Sequence, residues 1–102
     1  MAIRKSKQET FEVKVNIEEI KQRVESALNN GNFTSINANN LLNQITANYK
    51  KFSVWGEIKI TLSENQDKTK IDVVSTANSD NIFALFSSPN DAILNAFKNN
   101  FK

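Results

Sequence analysis

The chain opens its first clear pattern with an alternation. Across residues 10–16, Phe11, Val13 and Val15 fall on one side and Glu12, Lys14 and Asn16 on the other, the period of a half-buried strand. The period then changes. Ile17, Ile20, Val24, Ala27 and Leu28 recur at helical spacing, with Lys21, Arg23 and Glu25 opposite, which predicts a helix over 17–29. Asn16 stands at its N-cap and Glu19 three residues on completes a capping-box pattern. Asn30-Gly31 ends the run, and Gly31 is expected in the left-handed conformation that closes helices.

Residues 32–49 carry two periods. Leu41, Leu42, Ile45 and Tyr49 suit a helical face, whereas the recurrent Asn and Thr suit strands. Asn39-Asn40 fits a tight turn that needs positive φ, so the expectation is a hairpin with one strand near 33–38 and another near 42–49. Residues 52–62 are plainer. Phe52, Val54, Ile58, Ile60 and Leu62 share a face with Gly56 as a gap in the row, and Trp55, Glu57, Lys59 and Thr61 take the other. Residues 64–68 read as a polar turn, 70–76 as a strand with Ile71 and Val73 inward and Asp72 outward, and 78–81 as a loop. Ile82-Phe83-Ala84-Leu85-Phe86 is dense in apolar side chains. Ser88-Pro89-Asn90-Asp91 then opens a helix over 89–101, with Ser88 as N-cap and Ile93, Leu94, Phe97 and Phe101 as its stripe.

The order is β-α-β-β-β-β-α. It predicts an α+β fold in which a curved antiparallel sheet of about five strands carries two helices on one face and leaves the other open. A length of 102 residues supports one domain, expected over 10–102, and a core without staples. Residues 1–9 read as a flexible basic tail, because Arg4, Lys5 and Lys7 come with no acid among the first seven residues. Of the 13 basic and 11 acidic residues, setting those three aside leaves 10 against 11, so the folded part is near neutral. A tail of three charges is too weak to anchor a membrane stably.

Val54-Trp55-Gly56-Glu57-Ile58-Lys59-Ile60, a strand like Ile71-Asp72-Val73-Val74-Ser75, a loop and a terminal amphipathic helix resemble a group of small uncharacterised bacterial domains. These share the β-α-β4-α order of one half of a TATA-box-binding protein, and the resemblance covers roughly residues 10–101. Where that group often has a further Trp-Gly or Gly-Lys-Asn element before the last helix, this chain has Leu85-Phe86-Ser87-Ser88-Pro89-Asn90. The resemblance implies a fold and supplies no function.

Composition removes more function classes than it suggests. With no Cys and no His, disulfides, thiolate chemistry, zinc fingers and imidazole-based triads are excluded. Glu57 and Asp72 are the one carboxylate pair on strands expected to be adjacent. On an open sheet face, among Lys59 and Lys14, they read as solvated surface acids. Asn78-Ser79-Asp80-Asn81 has too few carboxylates for a calcium loop. No metal, cofactor or catalytic residue is expected, and the chain reads as a non-enzyme. The sixteen Asn fit codon bias and carry no functional weight.

The face that a TATA-box-binding protein would use carries Glu12, Lys14, Gln44, Thr46, Trp55, Glu57, Lys59, Thr61, Asp72, Val74 and Thr76. Two Lys against three acids and no Arg disfavour phosphate neutralisation, so nucleic acid is not the expected partner. Two apolar features are left. Trp55 points to the polar side by parity, with Val74 expected nearby, unless a bulge at Gly56 turns the indole inward or it covers a sheet edge. Ile82, Phe83, Leu85 and Phe86 either cross the core or form a lip or dimer contact. The leading expectation is a binding or protein-interaction module in the cytoplasm of a bacterium, with an unknown protein partner or self-association through these residues. The alternative is a small carrier holding an apolar small molecule between the sheet and the Ile93/Phe97/Phe101 face. No window approaches the apolar length of a membrane span, so no stable membrane insertion is expected.

Overall fold

The computed structural model describes residues 3–51, 54–79 and 89–101. The elements run β1 (Ile3–Val13), α1 (Ile17–Asn30), β2 (Thr34–Asn39), β3 (Gln44–Lys51), β4 (Val54–Asn65), β5 (Lys68–Ser79) and α2 (Pro89–Lys98). This is the expected β-α-β-β-β-β-α order. The five strands form one antiparallel sheet in the order β1-β5-β4-β3-β2.

Parity along the strands sorts the side chains as the alternation requires. Ile45, Ala47, Ile58, Ile60, Leu62, Ile71, Val73 and Ala77 are buried beneath the helices. Ile20, Val24, Ala27 and Leu28 of α1 and Ile93, Leu94 and Phe97 of α2 close on them, each 0–1% exposed. Phe11 and Phe101 pack with ring centroids 5.9 Å apart, and Phe33 and Tyr49 with centroids 5.2 Å apart.

β1 is longer than expected. Residues 3–9, read above as a flexible tail, continue the strand and pair with β5 in unbroken register from Ile3↔Ser79 to Val13↔Thr69. Backbone hydrogen bonds hold this part of the strand, and they leave no apolar signature in the sequence.

The cap at the start of α1 forms as its sequence predicts. Asn16 Oδ1 accepts from the Glu19 backbone N–H at 2.9 Å. The Glu19 carboxylate pairs with Arg23 at 2.9 Å instead of reaching back to Asn16. The end of α1 differs from expectation. Gly31 has φ −84°, and Asn32 is the left-handed residue at φ 64°. Phe33 N–H donates to the Leu28 carbonyl at 3.0 Å and Asn32 N–H to the Asn29 carbonyl at 3.2 Å. These two bonds make a Schellman motif with Asn32 in the position usually given to glycine.

Residues 44–51 are strand, not helix, because Ile45, Ala47 and Tyr49 alternate onto the core face. At the turn before them, Asn39 Oδ1 accepts from the backbone N–H groups of Leu41 and Leu42, at 3.1 and 3.2 Å. Positive φ falls on Asn43 (51°), not on Asn39 or Asn40. β5 runs three residues past its expected end at 76, into the stretch read as a loop.

Candidate functional site

β4 passes Gly56 with its register intact to both neighbours, Tyr49 on β3 and Ala77 on β5. No bulge turns the chain there. Parity therefore keeps Trp55 on the face away from the helices, in line with Glu57, Lys59 and Thr61. Gly56 is required for a different reason: a Cβ at this position would collide with the Thr76 carbonyl oxygen and lie 2.9 Å from Ala77 Cα. Trp55-Gly56-Glu57 is thus a place where β4 and β5 close up tightly, with a large ring on one flank and a carboxylate on the other.

The indole of Trp55 is half-buried. It borders a shallow open hollow of about 490 Å³ lined by Thr34, Asn48, Tyr49, Lys50, Trp55, Gly56 and Glu57. Lys50 stands directly across from Trp55, and Asn48 across from Glu57. The hollow therefore joins one aromatic plane to an amide, a hydroxyl, a cation and an anion, all set by the β2-β3-β4 register.

Trp55 and Val74 are not the neighbours expected on this face. Trp55 lies opposite Asn78, whereas Val74 lies opposite Lys59. Four residues separate Val74 from Trp55's partner, or roughly 13 Å along the strand. Val74 is half-buried on the open face but belongs to its middle. The same spacing separates Glu57, opposite Thr76, from Asp72, opposite Thr61. These two carboxylates are too far apart to act together on one bond.

Asp72 is held by β1. Its Oδ1 accepts from Gln8 Nε2 at 2.6 Å and from the Thr10 hydroxyl at 2.8 Å. The Gln8 bond lowers its pKa below the ordinary carboxylate value. Partial burial opposes that shift, and Thr10, Lys70 and Lys59 assist it. This is a carboxylate fixed in its charged form, the reverse of what a general acid needs.

Ile82, Phe83, Leu85 and Phe86 lie outside the described residues. Leu41 and Leu42 carry no surface signature of their own in the sequence, yet at the β2-β3 turn they are 96% and 59% exposed. The only signal was their place next to Asn39-Asn40, since a tight turn has no core face to offer. They sit at the end of β3 away from Trp55, roughly 20 Å along the strand, so the two features are separate.

The Ile93 and Phe97 face of α2 is packed into the common core, and Phe101 lies 5.3 Å from Phe97, centroid to centroid. Among the described residues no three acidic side chains gather as a cation site, and no helix is long and apolar enough to cross a membrane. No protein-family model matches the chain, and no curated protein matches it.

Proposed function

We propose that this chain is a non-enzymatic binding module that docks a protein partner on its open sheet face, with Trp55 as the anchor. One observation carries the reading: an indole stands half-buried on the solvent face beside an open hollow, where threonine would satisfy a strand equally well. Tryptophan inside a polar rim is the usual make-up of an interface hot spot, and Thr34, Asn48, Lys50 and Glu57 provide the rim. Among the described side chains of the whole face, Lys50, Lys59, Lys68 and Lys70 interleave with Glu12, Glu57 and Asp72, four cations to three anions where the sequence predicts two Lys against three acids. That mixture suits a protein surface better than a phosphate backbone, which draws a continuous cationic track. The resemblance to half of a TATA-box-binding protein enters at the level of fold alone. The carrier reading has less support, because the α2 face it needs is filled by core side chains.

Trp55 is the only tryptophan in the chain, so its emission reports the site directly. The test is affinity capture from the source cell with wild type and with Trp55→Thr. Any protein retained by wild type alone is then purified and titrated against the free chain. Saturable change in Trp55 emission, with binding lost in Trp55→Thr, is the expected result. A partner that binds both forms alike overturns the assignment.

A further inference from the structure

β1 and β2 are the two edges of the sheet, and among the described residues only β2 carries features that guard an edge. β2 is six residues long, shifts register between Thr34 and Asn37, and holds Ser35 at φ 52°. Short, bulged edges resist pairing with another chain. β1 has eleven residues, no proline and an unbroken register with β5. Among the described residues β5 is its sole strand partner. A straight edge of this length presents a row of backbone N–H and C=O groups that favours strand addition.

The charges along this edge are self-complementary. Arg4, Lys5 and Lys7 occupy its first half, and Glu9 and Glu12 its second. We propose that the partner of this edge is a second copy of the chain, paired antiparallel through β1 about a two-fold axis at Gln8. In that register Lys7 faces the second copy's Glu9, Arg4 faces its Glu12, Lys5 faces its Phe11, and Gln8 faces itself, so two of the three cations meet an acid. Each ion pair forms twice, as an isologous contact requires. The parity also matches, so one sheet runs through both copies with all helices on one side.

Other registers are worse. A slip of one residue sets the helix-bearing face of one copy against the open face of the other. A slip of two sets Lys7 against Lys7 or Glu9 against Glu9, like charges directly opposite. The Glu9 side chain, bonded to Lys98 at 2.9 Å, is still 30% exposed and within reach of a neighbouring strand. The ladder adds about one inter-strand hydrogen bond per residue paired. This contact is independent of the Trp55 site and of the reading built on it.

Sedimentation velocity on the wild-type chain, at low salt and over a broad concentration range, is expected to show a monomer–dimer equilibrium. Lys7→Glu and Glu9→Lys should each weaken the dimer about tenfold or more, since each sets like charges face to face twice. The double variant Lys7→Glu/Glu9→Lys should recover it. An equimolar mixture of the two single variants should form a heterodimer, because every altered charge then meets its opposite. The native chain has no cysteine, so Gln8→Cys should cross-link to a disulfide dimer on mild oxidation while Ser6→Cys, off the axis, should not. Circular dichroism melts check that each variant folds, and Arg4→Glu with Glu12→Arg repeats the exchange if one does not. A wild-type chain that stays monomeric throughout overturns the proposal. So does a dimer that both single variants leave intact.

Discussion

The Thr69 hydroxyl donates a 2.6 Å hydrogen bond to the carbonyl oxygen of Val15. Thr69 is fully buried near the start of β5, and Val15 lies in the link between β1 and α1. One buried hydroxyl thus ties the sheet to the segment that sets the entry of the first helix. Thr69→Val keeps shape and β-propensity but leaves the Val15 carbonyl without this donor. The expected loss is about 1–2 kcal/mol in a urea denaturation curve. Thr69→Ser, which keeps the hydroxyl, should recover part of it. Equal stability of wild type and Thr69→Val would show that the bond contributes nothing net.

A second prediction concerns residues 3–8, whose backbone pairs with residues 74–79 of β5. Deleting them strips the outer half of β5 of its neighbour and removes Gln8 from Asp72. The expected cost is about 2 kcal/mol or more, a fall in Tm of roughly 10 °C for a chain this short. An unchanged melting temperature would mean that the pairing in this half of β1 adds no stability.

That strand illustrates where the sequence was silent. α1 was legible because Ile17, Ile20, Val24, Ala27 and Leu28 must all reach one core, and the inward rows of β4 and β5 for the same reason. The first half of β1 is held by backbone bonds, which any side chain permits, so Arg4, Lys5 and Lys7 resembled a loose end. The outward parity of Trp55 was legible within its own strand. Its distance from Val74 was not, because register between strands depends on the Gln66-Asp67 turn, where Gln66 takes φ 61°. Thr69 and Ser75 could have been found, since they continue the row of Ile71 and Val73, but their polarity hid them.

Gly31 and Asn32 give a paired prediction that separates two uses of small residues. An ideal Cβ on Gly31 would lie 2.7 Å from the Ala96 carbonyl oxygen and 3.0 Å from the Phe33 ring. Gly31→Ala should therefore cost about 1–3 kcal/mol through displacement of α2, although its φ suits any residue. Asn32 has the left-handed backbone, so Asn32→Gly should be neutral or stabilising by up to about 1 kcal/mol. The opposite ranking in thermal melts would move the left-handed position back to Gly31.

Asp72 contributes to the stability of the fold in acid. The Gln8 amide, then the Thr10 hydroxyl, Lys70 and Lys59, favour its charged form and outweigh partial burial. Its folded pKa is thus below the value of about 3.9 typical of an unfolded chain. Above that value both states are ionised, and the full contribution of Asp72 to stability is present. As pH falls below it, the unfolded chain takes up the proton first, and the contribution declines until the folded pKa is passed. Glu12, diagonal to Asp72 on β1, lies opposite Lys70. Asp72→Asn should be less stable than wild type at neutral pH and should lose stability less steeply below about pH 4. Gln8→Ala removes the largest cause and should raise the Asp72 carboxyl titration seen by NMR toward its unfolded value. A wild-type acid profile superimposable on that of Asp72→Asn would show that the β1–β5 carboxylate plays no part in acid unfolding.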